Sequence, residues 1–186
     1  MYYAGSRSGV VPVPLNYRLA PPEWAYIIND SQSKMLVASA DYLEAIDGIR
    51  TGLETVNRFV SVGPPSSSDS AGVWTEFDAW IGSQGDSYPE EHIVGSDDVF
   101  QMYTSGTTGH PKGVVLSHDS LTSNLDQTYP EILMHPDHRM LVVSPFYHIA
   151  AAFCSFCTVS QGGCLVIQKE FEPAEVVRTM DEDNIT

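Results

Sequence analysis

The chemistry of this chain is concentrated in residues 103–113, which read YTSGTTGHPKG. Three glycines there let the backbone turn sharply and bring amide N–H groups close to an anion. Thr104, Ser105, Thr107 and Thr108 add hydroxyl donors, Lys112 adds a mobile positive charge, and Pro111 stiffens the exit. Phosphate is the anion such a loop suits, and the lysine would offset its charge in an otherwise acidic chain. The spacing is not that of a Walker loop, which needs four residues between its first glycine and a Gly-Lys pair. With residue frequencies of roughly one in twenty, the eight fixed positions of SGTTG-x-PKG arise by chance on the order of 10⁻¹⁰ per starting point. A ligand-free Ser/Thr/Gly surface loop is therefore a poor account of them.

A second group lies at Phe146, Tyr147 and His148, after the apolar residues 140–143. A histidine there can be a satisfied structural residue or part of a site, and the residue pattern leaves both open. His110, His118, His135 and His138 are assigned no role. Cys154 and Cys157 stand at Cys-x-x-Cys spacing with Cys164 beyond. Their neighbours are apolar and no second ligand pair follows at zinc-finger spacing, so all three are expected to be small core thiols.

The elements that must position these groups alternate. Residues 1–8 read as a helix stopped at Gly9, followed by a strand over 10–14. Pro21, Pro22 and Glu23 open a helix carrying Trp24, Ile27 and Ile28, and a strand is expected over 35–38. A helix over 42–51 and a strand over 59–62 repeat the unit, and a surface loop starts at Gly63. After a helix near 76–80 come a strand over 99–103, the glycine-rich loop, a strand over 114–116, and a helix capped by Ser117. Strand 140–143, a helix from Ile149, strand 164–168 and a helix from Pro173 complete the series. The alternation implies an α/β chain with a helix-covered, largely parallel sheet. No internal repeat or domain linker is visible.

Composition narrows the function. Twenty-four acidic residues against nine basic ones leave a net charge of -15, and no Lys or Arg falls between Arg58 and Lys112. Nucleic acid and anionic membrane surfaces are therefore poor partners. The opening residues lack the basic start and apolar run of a secretory signal, which makes a cytoplasmic protein the expectation. The uncharged stretch between Arg139 and Lys169 is interrupted by Pro145 and His148, and reads as strand, loop and helix, with no transmembrane segment.

YTSGTTGHPKGVVLSH resembles the phosphate-loop signature of the adenylate-forming (AMP-binding) enzymes: acyl-CoA synthetases, luciferases and peptide-synthetase adenylation domains. SGVVPVPLNYRLAPPEWAYIINDSQSKMLV resembles the segment before that signature, and SPFYHIAA the acyl-site strand and loop after it. The resemblance covers nearly the whole chain and tilts towards acyl- or aryl-CoA ligases. It implies that residues 1–186 are part of the large N-terminal domain of such an enzyme. It also implies two steps: a carboxylate attacks the α-phosphate of ATP, then the acyl group passes from the adenylate to coenzyme A. Thr104, Ser105, Gly106, Thr107, Thr108, Gly109 and Lys112 would hold the β- and γ-phosphates, with Thr104 also contacting Mg²⁺. His148 would sit beside the carboxylic acid substrate, and Phe146 and Tyr147 would line its pocket. By this reading Lys112 and His148 are the catalytic residues.

The family also uses a Tyr-Gly-x-Thr-Glu motif, a ribose-binding aspartate and a lysine in a mobile C-terminal domain. None of these occurs here, so the chain alone is expected not to catalyse adenylation. The polypeptide that would complete the domain is not identified by the resemblance. Two further readings stay open: a stand-alone nucleotide-binding or interaction module, and part of a peptide-synthetase adenylation domain. The apolar residues around the acyl-site loop speak against the latter.

Overall fold

Two consecutive prolines make the first long helix begin where it does. In the computed structural model, which describes residues 1–64, 72–104, 109–132 and 135–186, helix α2 spans Pro21–Asp30. Its first two positions are prolines, whose missing N–H groups would have had no partner there anyway. The Glu23 carboxylate accepts the backbone N–H of Ala20 at 2.8 Å and closes the turn. Trp24, Ile27 and Ile28 fall on one face at helical spacing and are all buried.

The chain forms two compact units, each assembled from discontinuous segments. One consists of Tyr17–Glu90 and Tyr103–Gly113, the other of Met1–Asn16, Glu91–Met102 and Val114–Thr186. α1 (Tyr2–Ser8) precedes α2 and belongs to the second of these.

In the unit that contains α2, strand β1 (Met35–Ser39) pairs in parallel with β2 (Arg58–Val62), with Met35 opposite Arg58 and Ser39 opposite Val62. β2 pairs in parallel with β3 (Trp74–Glu76), placing Phe59 opposite Trp74. Helix α3 (Leu43–Asp47) buries Leu43 and Ile46. Its Asp47 carboxylate accepts the Trp74 indole N–H at 3.1 Å. The helix expected over 42–51 is thus much shorter: 3-10 turns at Ala40–Tyr42 and Arg50–Gly52 flank it. Gly48 follows its last residue, and glycine disfavours continuation by about 1 kcal/mol relative to alanine. Helix α4 (Phe77–Gly82) starts where Glu76 accepts the N–H of Ala79.

The other unit begins with α1, which ends at Gly9 in the left-handed conformation (φ 70°), as its sequence implies. Gly5 in this helix meets the following segment closely: a Cβ there would lie 2.5 Å from the Val10 carbonyl oxygen. No strand forms over 10–14. Pro12 and Pro14 have no N–H to donate, and the Pro12 carbonyl accepts the Gln101 N–H at 3.1 Å. Strands β4 (Asp98–Thr104) and β5 (Lys112–Ser117), of which Tyr103, Thr104, Lys112 and Gly113 belong to the unit that contains α2, form one two-stranded sheet. Helix α5 (His118–Ile132) follows, its first turn capped by the Ser117 hydroxyl, which accepts the Ser120 N–H at 3.2 Å. β6 (Arg139–Val142) and β7 (Cys164–Ile167) pair in parallel, joined through α6 (Ile149–Ser160), and α7 spans Pro173–Glu182. Among the described residues the parallel pairing foreseen is present, with the strands distributed over three sheets.

The core of this unit is Val99, Phe100, Met102, Leu121, Leu125, Ala152, Phe156 and Cys157, with Tyr2 packed against it. The Tyr2 ring meets Phe100 and Phe156 edge-on, at centroid distances of 5.6 and 6.1 Å. Of the three cysteines only Cys157 is a core thiol, pushed up to about 11 by burial and then by neighbouring Cys154. Cys164, expected inside, is exposed at the first position of β7. Among the described residues no helix is long and apolar enough to cross a membrane.

Candidate functional site

The phosphate-loop candidate is carried between β4 and β5. Thr104 ends β4, Lys112 begins β5, and both side chains are exposed. Gly109 has φ 113°, a left-handed backbone that a side chain would strain, so glycine is required where the loop turns back. Ser105, Gly106, Thr107 and Thr108 lie outside the described residues.

Both ends of this loop touch α2. The Tyr103 phenol donates to the Asp30 carboxylate at 2.5 Å. The Tyr26 hydroxyl donates to the Pro111 carbonyl at 3.3 Å, and its ring stacks on His110 with centroids 4.8 Å apart. Burial, and then the bond to Asp30, raise the Tyr103 phenol above its ordinary range and keep it a donor. Tyr26 and Asp30 were not singled out by sequence reading. They are 85 and 73 positions from their partners, and their local cue is only that they stand four apart on one helix.

The second group belongs to the other unit. A turn over residues 145–148 closes with the His148 N–H donating to the Pro145 carbonyl at 3.0 Å. Tyr2 fixes the same turn by donating its hydroxyl to the Phe146 carbonyl at 2.7 Å. His148 is exposed and caps α6, its Nδ1 accepting the Ala150 N–H at 3.2 Å. The neutral ring then carries its proton on Nε2, which is left as a donor. The structural and the functional reading of this histidine therefore use different nitrogens. Phe146 and Tyr147 are half-buried. Beside them a cavity of about 320 Å³ is lined by Leu116, Ser120, Leu121, Asn124, Ile149, Ala150 and Phe153, a mostly apolar wall to which Phe146 and Tyr147 do not contribute.

Among the described residues no three His, Cys, Asp or Glu side chains gather as a metal site. His135 is exposed and His138 half-buried, with their rings edge-on at 4.9 Å.

Comparison with known proteins gives this α/β chain, with its glycine-, serine- and threonine-rich segment between two strands, a family. The chain belongs to the AMP-binding enzyme family, whose model matches residues 1–186. Among solved structures it resembles the fatty acyl CoA synthetase of Mycobacterium tuberculosis, with 29% identity and a TM-score of 0.82 over 99% of this chain and 34% of that one. It also resembles the ATP-bound MatB of Rhodopseudomonas palustris, with 27% identity and a TM-score of 0.79 over 97% and 34%. Among curated relatives, the long-chain-fatty-acid–CoA ligase FadD13 of Mycobacterium tuberculosis is 31% identical over all of this chain and 35% of its own length. A feruloyl-CoA synthase of Amycolatopsis is 33% identical over 99% of this chain and 34% of its own length. The chain thus spans about a third of the length of these curated relatives.

Proposed function

We propose that this chain is the ATP-phosphate-binding part of an AMP-forming carboxylate–CoA ligase. The observation that carries the reading is the loop between β4 and β5: Thr104 and Lys112 exposed at its two ends, and Gly109 in a backbone conformation that favours glycine. The named activities of the relatives, CoA ligases for fatty and aromatic acids, point the same way.

In this reading Thr104, Ser105, Gly106, Thr107, Thr108, Gly109 and Lys112 grip the β- and γ-phosphates and stabilise the charge of departing pyrophosphate. Lys112 does this as a point charge on a flexible stem, able to follow the phosphates as the α–β bond breaks. His148 offers Nε2–H to one oxygen of the substrate carboxylate. The N-terminus of α6 behind it contributes the positive end of the helix dipole. The neighbouring apolar cavity suits the substrate's hydrocarbon part. The coenzyme A thiol then attacks the acyl carbon of the adenylate and loses its proton, the acyl–phosphate bond breaks, and the thioester forms with AMP as the leaving group. The donor set suits Mg²⁺ only as an ion that arrives with ATP, because Thr104 offers a single hard oxygen and no carboxylate cluster stands near it among the described residues. Bound there, Mg²⁺ would neutralise phosphate charge.

The test is calorimetry of ATP-Mg²⁺ with this chain and with Lys112→Ala, both shown folded by circular dichroism. Loss of one charge-assisted contact is expected to weaken binding about tenfold. Equal affinity in the two proteins would sink the assignment of Lys112.

A further inference from the structure

One face of α2 holds both ends of the phosphate loop. Tyr26 and Asp30, one helical turn apart, reach respectively the residues that leave the loop and the residue that enters it. The opposite face of the helix is anchored by buried Trp24, Ile27 and Ile28, so the grip comes from a fixed support. We propose that Tyr26 and Asp30 are positioning residues, which set the spacing between Thr104 and Lys112 before any ligand arrives. The claim that this spacing serves phosphate rests on the function proposed above, whereas the grip itself rests on the contacts.

The chemistry of each contact fits the task. A phenol that donates to a carboxylate makes a charge-assisted bond, stronger than one between neutral groups. Tyr26 adds a second restraint of a different kind, stacking on His110 while its hydroxyl holds the Pro111 carbonyl, a group no side-chain substitution at 111 would remove. Fixing the two ends of a short segment lowers the entropy that binding must otherwise remove, so the benefit appears as ligand affinity.

Hydrogen exchange read by mass spectrometry, peptide by peptide, tests this in the whole chain. In Tyr103→Phe and Asp30→Ala, exchange over residues 104–112 should rise about three- to tenfold, the lower figure reflecting the exposure of Asp30, while exchange over β1 and β2 stays unchanged. Asp30→Asn keeps an acceptor for the phenol and should remain within about twofold of the parent, a rescue that loss of fold would not give. Tyr26→Ala should also speed the 104–112 peptides, with Tyr26→Phe intermediate because the stacking survives. Trypsin cleavage after Lys112 should accelerate in the same order. ATP-Mg²⁺ affinity should fall by the same factors. Unchanged loop exchange in both Tyr103→Phe and Asp30→Ala would overturn the proposal, as would an increase spread evenly over the whole unit. If Lys112→Ala leaves ATP binding unaltered, or the chain binds no ATP, the phosphate assignment fails while the exchange pattern still decides the grip.

Discussion

Removing a single hydroxyl from Tyr2 separates two contributions that the structure superimposes. The side chain packs its ring edge-on against Phe100 and Phe156, and donates its hydroxyl to the Phe146 carbonyl at 2.7 Å, two residues before His148. Tyr2→Phe keeps the ring and strands that carbonyl, so the expected loss is that of one neutral hydrogen bond, about 1 kcal/mol. Tyr2→Ala loses in addition two edge-on aromatic pairs worth about 0.5–1.5 kcal/mol each, together with the ring's burial. Because Tyr2 is only half-buried, the total should fall at or below about 3 kcal/mol, the low end for aromatic truncation. Urea unfolding followed by far-UV circular dichroism reads both. At a slope of roughly 2 kcal/mol/M the midpoint moves down about 0.5 M for Tyr2→Phe and about 1.5 M for Tyr2→Ala, with the slope unchanged. Equal midpoints for Tyr2→Phe and the parent would refute the hydrogen bond as a support of the His148 turn. Equal midpoints for Phe and Ala would refute the ring packing as the larger contribution.

Three further outcomes follow from particular atoms. Ser61 in β2 is fully buried with no hydrogen-bond partner for its hydroxyl among the described residues, so Ser61→Ala should raise stability by about 1 kcal/mol, read as a higher urea midpoint. Gly5→Ala should lower stability by about 1–2 kcal/mol despite alanine's better helix propensity, because its Cβ would press on the Val10 carbonyl oxygen and the Pro12 ring; thermal unfolding would show it as a reduced Tm. The phenols of Tyr2, Tyr3 and Tyr103 are all raised, chiefly by burial. The folded chain therefore favours the neutral phenol, a contribution complete below the ordinary phenol value of about 10 and lost as pH climbs past it. With the Cys157 thiol raised as well, urea midpoints should start to fall near about pH 9 and fall further above about pH 10, less steeply in Tyr2→Phe.

Local chemistry made much of the fold legible. Pro21, Pro22 and Glu23 announce the start of α2, Ser117 caps α5, and Pro145 with His148 splits an uncharged stretch into β6, a turn and α6. Local pattern misled where it was read without regard to donors: residues 10–14 are apolar enough for a strand, yet two prolines cannot ladder. β3 was missed because the three residues Trp74–Glu76 are too few to display a period. At the site, the loop's residue types were readable and its supports were not. Tyr26 and Asp30 bond to residues 85 and 73 positions away, with their spacing of four on one helix as a weak local mark, and Tyr2, which holds the His148 turn, bonds 144 positions away. His148 shows the limit from the other side: sequence left a choice between a structural and a chemical histidine, and the geometry gives each reading its own nitrogen.

The bond between Tyr2 and Phe146 also has a consequence in time. The two residues are 144 positions apart, so at a translation rate of roughly 5–20 residues per second the carbonyl is polymerised about 7–30 s after the phenol. The segments Tyr17–Glu90 and Tyr103–Gly113 are by then already made. α1 leaves the ribosome with its aromatic partners on α6 still untranslated. On a growing chain it is a helix in waiting, and the turn that carries His148 takes its final support from a residue synthesised 144 positions before Phe146.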